Sequence, residues 1–157
     1  MPSAQTTITY RPATIDDVES LARLRYQFLL EVHPSDAQNP DIVPILRRWF
    51  SEKLKTRHFQ AILAVADDEV IACSGMIIHE HPPGIMSPNG RQAYIMNMYT
   101  LPAWRGRGIA TTIFNQLIEL ARKENCSRAS LHALPIGRPI YEKAGFKACD
   151  MEMRMHL

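Results

Sequence analysis

The residues with the clearest chemical potential lie in one short stretch, Arg105-Gly106-Arg107-Gly108-Ile109-Ala110. It follows an apolar segment stopped at Thr100-Leu101-Pro102 and opens a run with helical periodicity. Glycines at a strand-to-helix turn let backbone N–H groups approach a ligand closely, and the first turn of a helix adds unpaired donors and a partial positive charge. Two arginines flank those donors, and a guanidinium matches phosphate oxygens in fork geometry. The stretch reads as a site for a phosphate or pyrophosphate, its plain alternative being a turn with solvated arginines. A Walker loop is excluded because no Lys follows the glycines. A dinucleotide-binding turn is excluded because the third small residue of Gly-x-Gly-x-x-Gly is missing and a hairpin, not a parallel unit, precedes it.

Other candidate chemistry is weaker. In His79-Glu80-His81, imidazoles two apart on an extended chain point to opposite faces and need a bend to converge. Pro82-Pro83 offers one, but no partner ligands are spaced to help, so the segment reads as a solvated loop and no metal is expected. Cys73, Cys126 and Cys149 are odd in number and far apart, against a disulfide framework or a closed zinc site. With no His nearby, Cys73 and Cys126 read as buried thiols in a reducing, cytoplasmic setting. Met96, Met98, Met151, Met153 and Met155 read as gap-filling core, with an adaptable pocket wall as the alternative.

The elements that must position the turn follow from hydrophobic period. Thr7 to Tyr10 is a short strand, and Thr14 is an N-cap with Asp16 and Asp17 in the first turn. Val18, Leu21, Ala22, Phe28, Leu29 and Val32 then recur over about five helical turns, ending before His33-Pro34. A second helix spans Asp41 to Thr56, burying Ile42, Ile45, Leu46, Trp49, Phe50 and Leu54. Phe59 to Ala66 and Val70 to Ile78 form a hairpin around Asp67-Asp68-Glu69. His79 to Gly90 is loop, Ala93 to Thr100 a strand, and the helix opening near Gly108 carries a wide apolar face from Ile109 to Ala121. Ser127 to Ala133 is a strand, Ile136 to Ala144 a short helix capped by Gly145, and Met151 to Leu157 alternates like a half-exposed strand. The order β-α-α-β-β-β-α-β-α-β predicts a mixed-sheet α/β (α+β) fold of about six strands in a single domain, residues 1–157.

Composition bounds the partners. The chain of 157 residues holds 18 Lys+Arg against 16 Asp+Glu, a net of +2, and is 46% hydrophobic. That is one ordinary domain, without the broad positive field that nucleic-acid binding requires. Met1 to Tyr10 is polar and Thr-rich and does not read as a signal peptide, and Ala61 to Ala66, the longest aliphatic run, is far too short to cross a membrane. The charge is uneven: residues 1–100 carry nine basic and eleven acidic side chains, and residues 101–157 nine and five. The phosphate-binding turn lies in the positive part, as a polyanionic ligand favours.

Arg105-Gly106-Arg107-Gly108-Ile109-Ala110 resembles the Arg/Gln-x-x-Gly-x-Gly/Ala signature of the GCN5-related N-acetyltransferase superfamily. Ile140-Tyr141-Glu142-Lys143-Ala144-Gly145-Phe146 is similar to its second hallmark, and the element order agrees over nearly the whole chain. The resemblance implies a transfer of acetyl from acetyl-CoA to a primary amine by direct attack, the acceptor a small molecule first and a protein amine second. It implies that backbone groups of Tyr99, Thr100 and Leu101 pair with the pantetheine arm. The amides from Arg105 through Gly106, Arg107, Gly108, Ile109 and Ala110 would hold the pyrophosphate, between strands that splay apart. Tyr141 would protonate the leaving thiolate. Two departures stand out: Tyr94 to Tyr99 carries no carboxylate to act as base, and Pro135 to Arg138 stands where many relatives have an Asn against the cofactor. Glu80, His79, Asn97 through a water, and His132 remain as candidate bases, and Arg138 as a further cofactor contact. Loss of catalysis would instead leave a coenzyme A-binding regulatory module. The alternating C-terminal strand could lie at the edge of a homodimer.

Overall fold

A computed structural model describes residues 6–34, 39 and 41–157. The chain opens with β1 (Thr9–Pro12) and turns at Thr14, whose side chain accepts the Asp16 N–H while its own N–H donates to Asp17 Oδ2 at 2.7 Å. This reciprocal cap starts a 3-10 turn, Ile15–Asp17, that runs on into α1 (Val18–Val32). Arg11 donates to both Asp17 carboxylate oxygens at 2.8 Å, tying β1 to the helix start. Leu21, Ala22 and Leu24 are the fully buried face of α1, and the expected Val18, Phe28, Leu29 and Val32 are half-buried around it. In α2 (Ile42–Lys55) the buried anchor is Phe50; Ile45, expected inside, is 53% exposed because α2 rests on the sheet only at its far end.

Three antiparallel strands follow: β2 (Phe59–Ala66), β3 (Glu69–Glu80) and β4 (Arg91–Thr100). The hairpin between β2 and β3 turns at Asp67 and Asp68, both with positive φ, as a tight two-residue turn needs. β3 outruns the expected Ile78: His79 and Glu80 are paired opposite Gln92 and Arg91 and belong to the strand, not the loop. A short turn at Pro102–Trp104 leads to α3 (Ile109–Lys123), then β5 (Arg128–Leu131) and α4 (Arg138–Lys143).

The sheet order is β1-β2-β3-β4-β5, antiparallel except for the parallel β4–β5 pair. Successive residues of β2 feed opposite cores, Ile62 and Ala64 towards α3, Ala61 and Leu63 towards α1 and α2. That explains why β2 reads as a continuous apolar run. Among the described residues the sheet has five strands, not about six: no strand forms after α4, and Met151, Met153 and Met155 are 84%, 95% and 79% exposed. Alternation specifies which side chains share a face but not that a ladder partner exists, and β5 offers an edge of only four residues. The C-terminal segment is tied back instead through Glu152, which meets His132 just beyond β5.

Candidate active site

The site begins where β4 loses register. Cys73 pairs with Tyr99 and Gly75 with Met96, so Ser74 alone faces Asn97 and Met98, and Asn97 adopts a φ of 58°. Such a bulge bends the strand and sharpens its twist. On the other side of β4 the pairing with β5 stops at Ile95 and Leu131, and the strands diverge. A cavity of about 710 Å³ opens in the gap. Its walls are β4 from Ile95 to Thr100, Leu131 and His132 at the end of β5, the entry to α3, and Gly137, Ile140 and Tyr141 around α4. Phe28, Glu31 and Val32 of α1 close a further side.

At the entry to α3, Gly106 and Gly108 have φ of 74° and 75°, a region open to glycine and strained for side chains carrying a Cβ. The space a Cβ would take at either position is empty to 4 Å. Gly108 is the residue before the first turn of α3 and no side chain caps that helix, so its leading N–H donors meet the cavity, with Ile109, Ala110 and Thr111 on the wall. An anion fits here on donors and on space alike. Arg105 is held in place: its Nε donates to the Thr100 carbonyl at 2.9 Å, its guanidinium grips both Glu31 oxygens at 2.8 and 3.0 Å, and it lies 5.4 Å from the Tyr99 ring centre. Tyr99 donates to Glu31 Oε1 at 2.5 Å; burial and that carboxylate push its phenol up to about 12. Glu31 is in turn held below the usual carboxylate range by the Tyr99 and Arg105 hydrogen bonds.

Of the residues singled out in the sequence, Tyr99, Thr100, Arg105, Gly106, Gly108, Ile109, Ala110 and Tyr141 line this one cavity. Leu101 and Arg107 lie off its wall. The Leu101 N–H is spent on the Ile71 carbonyl at 2.9 Å, and Arg107 stacks 4.8 Å from the Trp104 ring centre while donating to the Ala103 carbonyl.

Tyr141 is fixed by the end of α4. The N–H of Phe146 bonds the Tyr141 carbonyl and that of Gly145 the Glu142 carbonyl, both at 3.0 Å, with Gly145 at φ 96°. This is the double bond pattern of a Schellman stop, and it folds Phe146 back towards Tyr141. The Tyr141 ring sits 5.1 Å from Phe114 and 6.5 Å from Phe146, and its hydroxyl lies 3.1 Å from where a Cβ on Gly137 would stand. Tyr141 is thus both a packed aromatic and a cavity-wall hydroxyl, and burial raises its phenol above the ordinary value.

Among the other candidates, Asn97 is buried on the cavity wall with Oδ1 unpartnered among the described residues. His132 is also on the wall, Glu80 is paired with Arg91 at 3.1 Å away from it, and Arg138 is paired with Glu142 at 2.6 Å. Among the described residues no three His, Cys, Asp or Glu side chains gather as a metal set. Cys73 is buried, and that burial pushes its thiol up to about 12; Cys126 is half-buried and Cys149 exposed. The sequence reading missed Glu31. Glu31 sits one turn beyond Phe28 on α1, which is the local trace it leaves.

Residues 17–146 match the model of the acetyltransferase (GNAT) family. The chain belongs to this family. Its fold superposes on a predicted acetyltransferase from Clostridium acetobutylicum solved with acetyl-CoA, 32% identical over 96% of both chains, with a TM-score of 0.87. A GCN5-related N-acetyltransferase from Ralstonia eutropha JMP134 is 26% identical over 96% of this chain and 99% of that one, with a TM-score of 0.86. In sequence, 64 residues are 31% identical to a glucosamine 6-phosphate N-acetyltransferase of Trypanosoma brucei brucei, a match spanning 41% of this chain and 44% of that protein. No helix among the described residues of this GNAT chain is long and apolar enough to cross a membrane.

Proposed function

We propose that this GNAT protein transfers acetyl from acetyl-CoA to a primary amine of a small cytoplasmic molecule by direct attack. The observation that carries the reading is the cavity between the diverging β4 and β5, with an uncapped helix start at one end and the Tyr141 hydroxyl on its wall. The N–H donors at the start of α3 bind the pyrophosphate while Arg105 holds the α1 wall through Glu31, and the bulged β4 faces the pantetheine arm. Tyr141, kept protonated by its burial, gives its proton to the departing thiolate. The acceptor enters from the α1 side, where Phe28 and Glu31 form the wall.

Thiol release from acetyl-CoA across a panel of amines tests this reading. Release that depends on the amine supports it. Coenzyme binding by calorimetry without release on any amine would favour the catalytically silent module, the reading suggested by a β4 that carries no carboxylate.

A further inference from the structure

An amine that attacks a thioester must first lose a proton, and β4 provides no carboxylate to take it. Beside the cavity the fold builds another acceptor. Tyr94, early on β4, points its hydroxyl at Nδ1 of His132 across 2.5 Å, with the rings 5.5 Å apart. Nε2 of the same imidazole meets the Glu152 carboxylate, which the C-terminal segment brings back over the end of β5. The three residues are a phenol, an imidazole and a carboxylate in series, and His132 is on the cavity wall.

Resting on the acetyltransferase reading above, we propose that Tyr94 and His132 form the proton-accepting relay for the acceptor amine, with Glu152 as the residue that orients it. The logic is that of a base steadied by a third group. A carboxylate at Nε2 demands an N–H there, which leaves Nδ1 with the lone pair that accepts the Tyr94 O–H. Both ring nitrogens are then engaged, and the open lone pair of the cluster is on Tyr94 Oη. Tyr94 itself lies just off the cavity wall, so the ammonium N–H breaks as a bridging water carries that proton to Oη, and the original Oη–H passes to Nδ1. The imidazolium so formed is paired with Glu152 and returns its proton to solvent. The charged and titratable groups around the relay are Arg154 beside Glu152, His79 at 6.0 Å from the Tyr94 ring, His81 next to His79, and Arg25 from α1. Burial first, and Glu152 next, raise the Tyr94 phenol, so it serves as a relay and does not rest as a phenolate.

The test is the pH profile of Tyr94→Phe and His132→Ala with an amine that the wild-type protein acetylates. Each variant should lose about 10²-fold in kcat/KM for the amine at neutral pH with an unchanged KM for acetyl-CoA, which also shows that it folds. The loss should close as pH rises past the pKa of the amine, where substrate arrives already deprotonated. Glu152→Gln should lose less, and nitrogen-15 spectra of the neutral His132 ring should show the Nε2–H tautomer in the wild type and a mixture in that variant. Wild-type profiles in both Tyr94→Phe and His132→Ala, or a loss that is the same at every pH, would overturn the relay while leaving the acetyltransferase reading intact. A wild-type protein that acetylates no amine would overturn both.

Discussion

At the scale of single residues, Tyr141 has the environment that an acid for a thiolate needs. Its phenol is raised by burial, so it holds its proton throughout the neutral range and loses it only above the ordinary value of 10.0. Tyr141→Phe should therefore lower kcat by ~10²-fold with coenzyme affinity unchanged, as measured by steady-state kinetics beside calorimetry. A near wild-type kcat would sink the assignment. Gly108 makes a different demand. Valine there combines a φ of 75°, which a β-branched residue adopts at a cost of about 1–3 kcal/mol, with methyl groups in the space left for the ligand. Gly108→Val should weaken acetyl-CoA binding by ~10-fold or more in calorimetry. Arg105 differs again, because it already grips Glu31 and carries the α1 wall with it.

At the scale of elements, what was legible in the sequence follows from how local each signal is. The glycine turn and the Tyr141-to-Phe146 stop are contiguous strings whose backbone needs are written in their own residues, and the structure carries both. The helix faces and the β2–β3 hairpin were legible for the same reason, to within a few residues at their ends. The Glu31 grip on Tyr99 and Arg105 joins residues 68 and 74 apart, and the Tyr94–His132 bond spans 38. No period or motif encodes such pairs; the packing of α1 against β4 creates the first and the β4–β5 pairing the second. The missing sixth strand shows the converse, a perfect local alternation that no partner edge answers. The start of α1 offers a stability test of a local signal. Burial works against the Asp17 charge, but Arg11 and Thr14 outweigh it and hold the carboxyl below its ordinary 3.8. A depressed pKa contributes stability above the unfolded value that is lost as pH falls through the folded one. Asp17→Asn should cost about 2 kcal/mol near neutrality, and urea titrations of the two proteins should converge as pH drops below 3.8.

At the scale of the molecule, the two halves of the sheet are built differently. β2, β3 and β4 are joined by antiparallel ladders of eight pairs each, whereas β5 meets β4 only along Gln92–Ile95 and Arg128–Leu131, a ladder as short as that between β1 and β2. The positive, C-terminal third of the chain is thus attached to the rest by α3, a four-residue ladder and the packing of Tyr141 and Phe146 on Phe114. A ligand lodged between β4 and β5 touches both sides of that seam. At a hundred times its dissociation constant such a ligand contributes about 2.7 kcal/mol, on the order of 5–10 °C in Tm for a chain of this size. Differential scanning calorimetry with and without coenzyme measures it, and no shift at saturation would contradict coenzyme binding in the cleft. The gain should be uneven, with amide exchange slowing most in β5 and α4 and least in β2 and β3. A protein that holds coenzyme across this narrow seam, as proposed, should then have a lifetime set by its supply: a protease that cuts beyond Lys123 should find its sites open when coenzyme is scarce and closed when it is plentiful.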